Sequence, residues 1–113
     1  MGDRIEKFLT ALKVPVYLKG FAQIKRLVEL HLEEPNARLH GLTEKVATER
    51  GEKYDTVERD MRYAVEIFNQ RKKTLSSKNI AIYFEEKMTI KKFVKTVVYC
   101  LEHNLDKAVC DKL

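Results

Sequence analysis

The sequence has no tryptophan, only two prolines and four glycines, and two cysteines in 113 residues. So little glycine and proline excludes collagen-like chains and flexible linkers. Cys100 and Cys110 lie close together near the C-terminus and form no disulfide framework, a usage that suits a reducing cytoplasm. No apolar run approaches the ~20 residues that span a bilayer, and the opening residues lack the charged-then-apolar pattern of a secretory signal. Gly2 invites a test for myristoylation, but Glu6 stands where that motif needs Ser or Thr. Catalytic constellations are missing as well. His31, His40 and His103 have no companions at metal-ligand spacing. Ser76 and Ser77 are the only serines, and neither sits in a nucleophile elbow. The scattered glycines cannot form a phosphate-cradling loop. The expectation is a non-enzymatic cytoplasmic protein with no catalytic residues, cofactor, metal or small-molecule substrate.

What is present suits one globular unit spanning residues 1–113. Hydrophobic residues make up 44% and charged residues 35%, and a chain of this length buries roughly two-thirds of its unfolded surface. The net charge is +5. Residues 1–34 carry six basic and five acidic groups, and residues 35–113 carry sixteen and twelve. The excess therefore lies in the second part, interleaved with acids, and forms no basic tail. Such a charge is compatible with a polyanionic partner without requiring one.

The apolar periodicity is helical almost throughout. Asp3 is placed to cap a first helix carrying Ile5, Phe8, Leu9 and Leu12, which Val14-Pro15 ends. A longer helix is predicted from about Val16 to Glu33, with Tyr17, Phe21, Ile24, Leu27, Val28 and His31 or Leu32 as its stripe. Gly20 inside it costs about 1 kcal/mol relative to Ala, which points to close packing against a neighbour. A short helix from about Leu42 to Arg50 should end on Gly51 as its C-cap. Asp55 and Glu58 then resemble a capping box opening a helix to about Arg71, with Val57, Met61, Ala64, Val65 and Phe68 inward. Ser76-Ser77 breaks the chain before Asn79–Glu86, and Thr89 caps a last helix with Ile90, Phe93, Val94, Val97, Val98 and Leu101. The fold class expected is all-α, a bundle of about six helices. Strand-like propensity in residues 80–84 and 96–100 keeps a winged helix as the alternative.

Residues 42–71, a short helix, a tight turn near Gly51 and a longer helix, match a helix-turn-helix. In that motif the second helix enters the DNA major groove by its N-terminal residues. The outer side of the predicted helix carries Asp55, Arg59, Arg62, Tyr63, Glu66 and Gln70, flanked by Thr56 and Glu58. Arg59 and Arg62, one turn apart, suit guanine O6 and N7. Lys45 and Lys53 flank the turn and suit phosphates. The competing explanation is a solvated face, because Asp55–Arg59, Glu58–Arg62 and Arg62–Glu66 all have i,i+4 spacing.

The stretch Val57-Glu58-Arg59-Asp60-Met61-Arg62-Tyr63-Ala64-Val65-Glu66 resembles the recognition helix of a known family. That family is the C-terminal effector domain of the sporulation-initiation response regulator, the sporulation stage 0 protein A family. Val14–Phe21 resembles the start of its long second helix, and Thr89–Leu101 its closing helix. The resemblance implies an all-helical domain of about six helices that regulates transcription by binding a short element of double-stranded DNA, with dimers forming on the DNA. Carried over by position, Glu58, Arg59 and Arg62 face the groove, with Thr56 and Tyr63 beside them. Thr56, Asp60 and Tyr63 depart from the family's usual basic, small and histidine residues, which implies a different preferred DNA sequence. The family's receiver domain has no counterpart in these 113 residues. The alternative function is a helical protein-interaction module that keeps this fold without binding DNA.

Overall fold

Helices supply all the regular structure of residues 2–110, the part of the chain described in the computed structural model. Their order is α1 (Gly2–Ala11), α2 (Lys19–Glu33), α3 (Leu39–Arg50), α4 (Tyr54–Arg71), α5 (Lys78–Ala81), α6 (Ile90–Glu102) and α7 (Lys107–Cys110). Short 3-10 turns at Lys72–Thr74 and Ile82–Phe84 follow α4 and α5. No strand occurs among the described residues, so the winged helix is excluded there. Of these seven helices, α5 and α7 are single turns, and α7 lies beyond the last predicted helix.

The long α2 is the central post, packed against α1, α3, α4 and α6. Phe21, Ile24, Leu27 and Val28 are buried along it, as its periodicity predicts. Gly20 explains how closely α4 approaches. A Cβ there would lie 2.3 Å from the Asp60 carbonyl oxygen and 2.9 Å from the Ala64 Cβ. Only a residue without a side chain permits that crossing. Beside it, Gln23 is fully buried and donates from Nε2 to an Asp60 carboxylate oxygen at 3.1 Å.

The inner side of α4 buries Val57, Met61, Ala64, Val65 and Phe68. Phe68 packs edge-to-face against Phe84 at 5.1 Å and at a tilt against Phe93 at 4.8 Å between ring centroids, joining α4, the second 3-10 turn and α6. Asn69 reinforces this join. Its side chain donates to the Met88 carbonyl and accepts from the Met88 N–H, both at 2.9 Å. Thr89 then caps α6, its hydroxyl accepting from the Lys92 N–H at 3.2 Å. Arg4 ties α1 to the turn between α6 and α7 through the buried Asp106 carboxylate, at 2.6 Å.

Several predicted boundaries are corrected. Helix α1 begins at Gly2, so Asp3 lies in its first turn instead of capping it. Helix α2 begins at Lys19 because Pro15–Leu18 closes a turn, the Leu18 N–H reaching the Pro15 carbonyl. That turn leaves Tyr17, predicted on the buried stripe, 80% exposed. Helix α3 starts earlier, at Leu39. Helix α4 starts at Tyr54 with Lys53 as its N-cap and no side-chain cap hydrogen bond, so the Asp55–Glu58 capping box does not form. Asp55 sits instead in the first turn, where the helix dipole favours a carboxylate. No helix among the described residues is long and apolar enough to cross a membrane.

Candidate nucleic-acid interface

The turn between α3 and α4 is fixed by local chemistry. Gly51 adopts φ +64°, the left-handed conformation, at the end of α3. The Gly51 N–H bonds to the Thr48 carbonyl at 3.2 Å and the Glu52 N–H to the Ala47 carbonyl at 2.9 Å. These two bonds form a Schellman closure, as Gly51's position in the sequence predicts. Three residues, Gly51–Lys53, then separate the helices. Arg50 donates to Glu52 at 2.6 Å across this turn and holds the Glu52 carboxyl below its usual pKa.

The outer side of α4 exposes Asp55, Arg59, Arg62, Tyr63, Glu66 and Gln70, matching the helical wheel. Thr56 and Glu58 are half-buried at its edges. Their electrostatic roles differ. Arg59 is exposed and makes no ion pair or hydrogen bond among the described residues. Arg62 is engaged by Glu58 one turn earlier. Burial, and then the nearby Glu58, raises the pKa of the Tyr54 phenol. Tyr63 is 53% exposed and offers a flat apolar surface beside Arg59. Asp60 is absent from this side, being turned toward Gln23 at the α2 crossing.

The two lysines predicted to flank the turn separate. Lys53 is exposed at the α4 N-cap. Lys45 lies on the outer side of α3 and is held by Glu34, at the end of α2, at 2.7 Å. A phosphate contact by Lys45 must first compete with that carboxylate. The net charge of the outer α4 side is zero, because two arginines face Asp55 and Glu66.

Basic residues that the motif reading passes over lie along the neighbouring surface. A groove of about 410 Å³ between α4 and the start of α6 is lined by Glu58, Arg62, Asn69, Lys87 and Lys91, among others. Lys91 also lines a second groove, of about 680 Å³, with His31, Arg38, His40 and Lys95. The sequence signal for this band was the Lys91-Lys92…Lys95 spacing on a helix whose other side is apolar. Cys100 is buried in the core, and desolvation pushes its thiol pKa up to about 12, so it acts as a small apolar side chain.

No protein-family model, curated protein or solved structure matches this chain.

Proposed function

We propose that this chain is a non-enzymatic, sequence-specific DNA-binding regulator of transcription, working in the cytoplasm. In this reading α3 and α4 act as a helix-turn-helix, and α4 enters the major groove by its N-terminal half. The observation that carries the reading is Arg59. It is an exposed, unpaired guanidinium on the second turn of a helix whose opposite side is locked into the core. A rigid mount of this kind suits a fork onto a guanine edge. Arg62, Glu58, Tyr63 and Thr56 would complete the base-facing set, and Lys53 would hold a phosphate. The resemblance to the sporulation effector family agrees with this assignment. The apolar stripe of α6 is consumed by the core, so a homodimer on DNA would use a surface other than that stripe.

The neutral outer side of α4 and the Glu58–Arg62 pair favour a second reading, a protein-interaction module, because acids beside a phosphate track cost affinity. Fluorescence anisotropy with mixed-sequence duplex at two salt concentrations separates the two readings. Selection of bound duplexes from a random library then identifies the preferred site. Salt-dependent binding that enriches one sequence supports the regulator. If no duplex binds at low salt, the interaction module stands.

A further inference from the structure

The two most exposed large apolar side chains among the described residues are sequence neighbours, Tyr17 at 80% and Val16 at 61%. Both sit on the connection between α1 and α2, and that connection is firmly tied. The Lys13 N–H bonds to the Thr10 carbonyl at 2.9 Å and the Val14 N–H to the Leu9 carbonyl at 3.1 Å, a Schellman closure of α1. Lys13 takes the left-handed position at φ +68°, where glycine is the usual residue. Its side chain makes use of that position, Nζ donating to the Thr74 carbonyl and hydroxyl oxygens, both at 2.9 Å. Arg71, at the end of α4, donates in turn to the Lys13 carbonyl at 3.4 Å. The Pro15–Leu18 turn follows, and Val14 before it and Phe21 after it are buried. Val16 and Tyr17 therefore stand in solvent on a tip that is pinned on both sides.

The surroundings of this tip are basic. No acidic residue occurs between Glu6 and Glu29 or between Glu66 and Glu85, and the bonds made by Lys13 and Arg71 bring these two acid-free stretches together. Lys13 and Arg71 bond only to uncharged groups, and the Lys73 side chain makes no hydrogen bond or ion pair among the described residues. Lys72 and Lys19 do not belong to this set, because Lys72 is held by the carbonyls of Phe84, Glu85 and Glu86 and Lys19 acts on Glu52. Tyrosine and arginine are among the side chains that carry most binding energy between proteins, and a pinned tip loses little freedom on docking. A rim of uncompensated cations favours a partner of opposite sign.

We propose that the Val16–Tyr17 tip is a docking surface for an acidic segment of a partner protein. Apolar side chains of that segment pack on Val16 and Tyr17, and its Asp or Glu residues meet Lys13, Arg71 and Lys73. Two other anionic partners fit less well. Helix α4 is about 27 Å long, and the tip lies at its C-terminal end, whereas the N-terminal half is the part assigned to the major groove. Phosphates would also leave Val16 and Tyr17 without a role. On an anionic membrane, two side chains bury less apolar surface than one myristoyl chain, which alone binds only marginally. The surface does not depend on base reading by α4 and stands if that reading fails.

The test pans a phage-displayed random peptide library on the full chain, with the Tyr17→Ala variant as counter-selection. Enriched peptides are then measured by fluorescence anisotropy and mapped by amide NMR. Peptides carrying Asp or Glu beside apolar residues are expected, with shifts centred on residues 13–19 and 71–74. Tyr17→Ala and Lys73→Glu should each weaken them at least about tenfold, while Lys107→Glu on α7 leaves them unchanged. Tyr17 and Lys73 are both exposed, so both variants should melt at the wild-type temperature. A short duplex and vesicles of equimolar phosphatidylglycerol and phosphatidylcholine are titrated alongside. Duplex or vesicle binding that falls in Tyr17→Ala, with no peptide depending on that residue, gives the tip to the other partner and overturns the proposal. Enriched peptides that lack acidic residues, or that bind the wild type and both variants equally, overturn it as well.

Discussion

The two sides of α4 are built by different rules. The inner side is decided by volume: Gly20 admits the helix, and Phe68 locks it between Phe84 and Phe93. The outer side is decided by which charges find partners. There Glu58 takes Arg62 and leaves Arg59 free. The inner side therefore tolerates almost no change, and the outer side can be altered without loss of the fold. A helix anchored this firmly on one side can present its other side as a recognition surface.

The strongest way to break that contrast is Phe68→Ala, which empties the aromatic cluster. It should cost roughly 3–5 kcal/mol as a core cavity, measured as a fall in the denaturant midpoint. A variant of nearly unchanged stability would mean that the α4 assignment is rotated, and the outer residues would be misassigned with it.

Next comes Gly20→Ala. The added methyl meets backbone at 2.3 Å, so α2 and α4 must separate. Overpacking of this kind costs about 1–3 kcal/mol, opposed by a gain of about 1 kcal/mol in helix propensity. The net expectation is a lower melting temperature; a higher one would show that the crossing yields easily.

These inner features were legible in the sequence because burial follows periodicity. Val57, Met61, Val65 and Phe68 recur at helical spacing, and a glycine inside a helix needs a reason such as the Asp60 carbonyl supplies. Gly51 was legible because a helix end that needs left-handed geometry favours glycine. Tyr17 departs from the predicted stripe because the turn that begins at Pro15 takes it out of the helix. The capping box does not form because the apolar pattern does not fix where a helix starts: α4 begins at Tyr54 with Lys53 as its N-cap, which places both Asp55 and Glu58 inside the helix. The basic groove was missed because its residues lie far apart along the chain, and only the packing of α2, α3 and α6 assembles them. Whether Lys45 is free was equally hidden, since Glu34 reaches it from the C-cap of α2.

On the outer side, Arg59→Ala is the sharpest test of base reading. It should lose roughly 1–3 kcal/mol against the selected duplex and flatten preference at one base position, with the melting temperature unchanged. Lys53→Ala should weaken all duplexes alike and reduce the salt slope by about one. Lys45→Ala should change the slope less, because Glu34 already neutralises that ammonium. Equal slopes for Lys45→Ala and Lys53→Ala would show that the Glu34 pair opens on DNA.

A small stability effect is expected for Glu58→Gln, and this variant separates structural pairing from recognition. An exposed i,i+4 pair contributes about 0.2–0.5 kcal/mol to a helix, so thermal unfolding should move little. Binding should move more. Removing the carboxylate releases Arg62 and takes one negative charge from the outer side of α4, so, on the proposed function, affinity for every duplex should rise and the salt slope should steepen by about one. If Glu58 only restrains Arg62, base preference is unchanged, because such a residue reads no base itself. If preference relaxes at a single cytosine instead, Glu58 accepts from that base's amino group in the complex. Its pairing with Arg62 in the free protein would then be a resting arrangement that the duplex displaces.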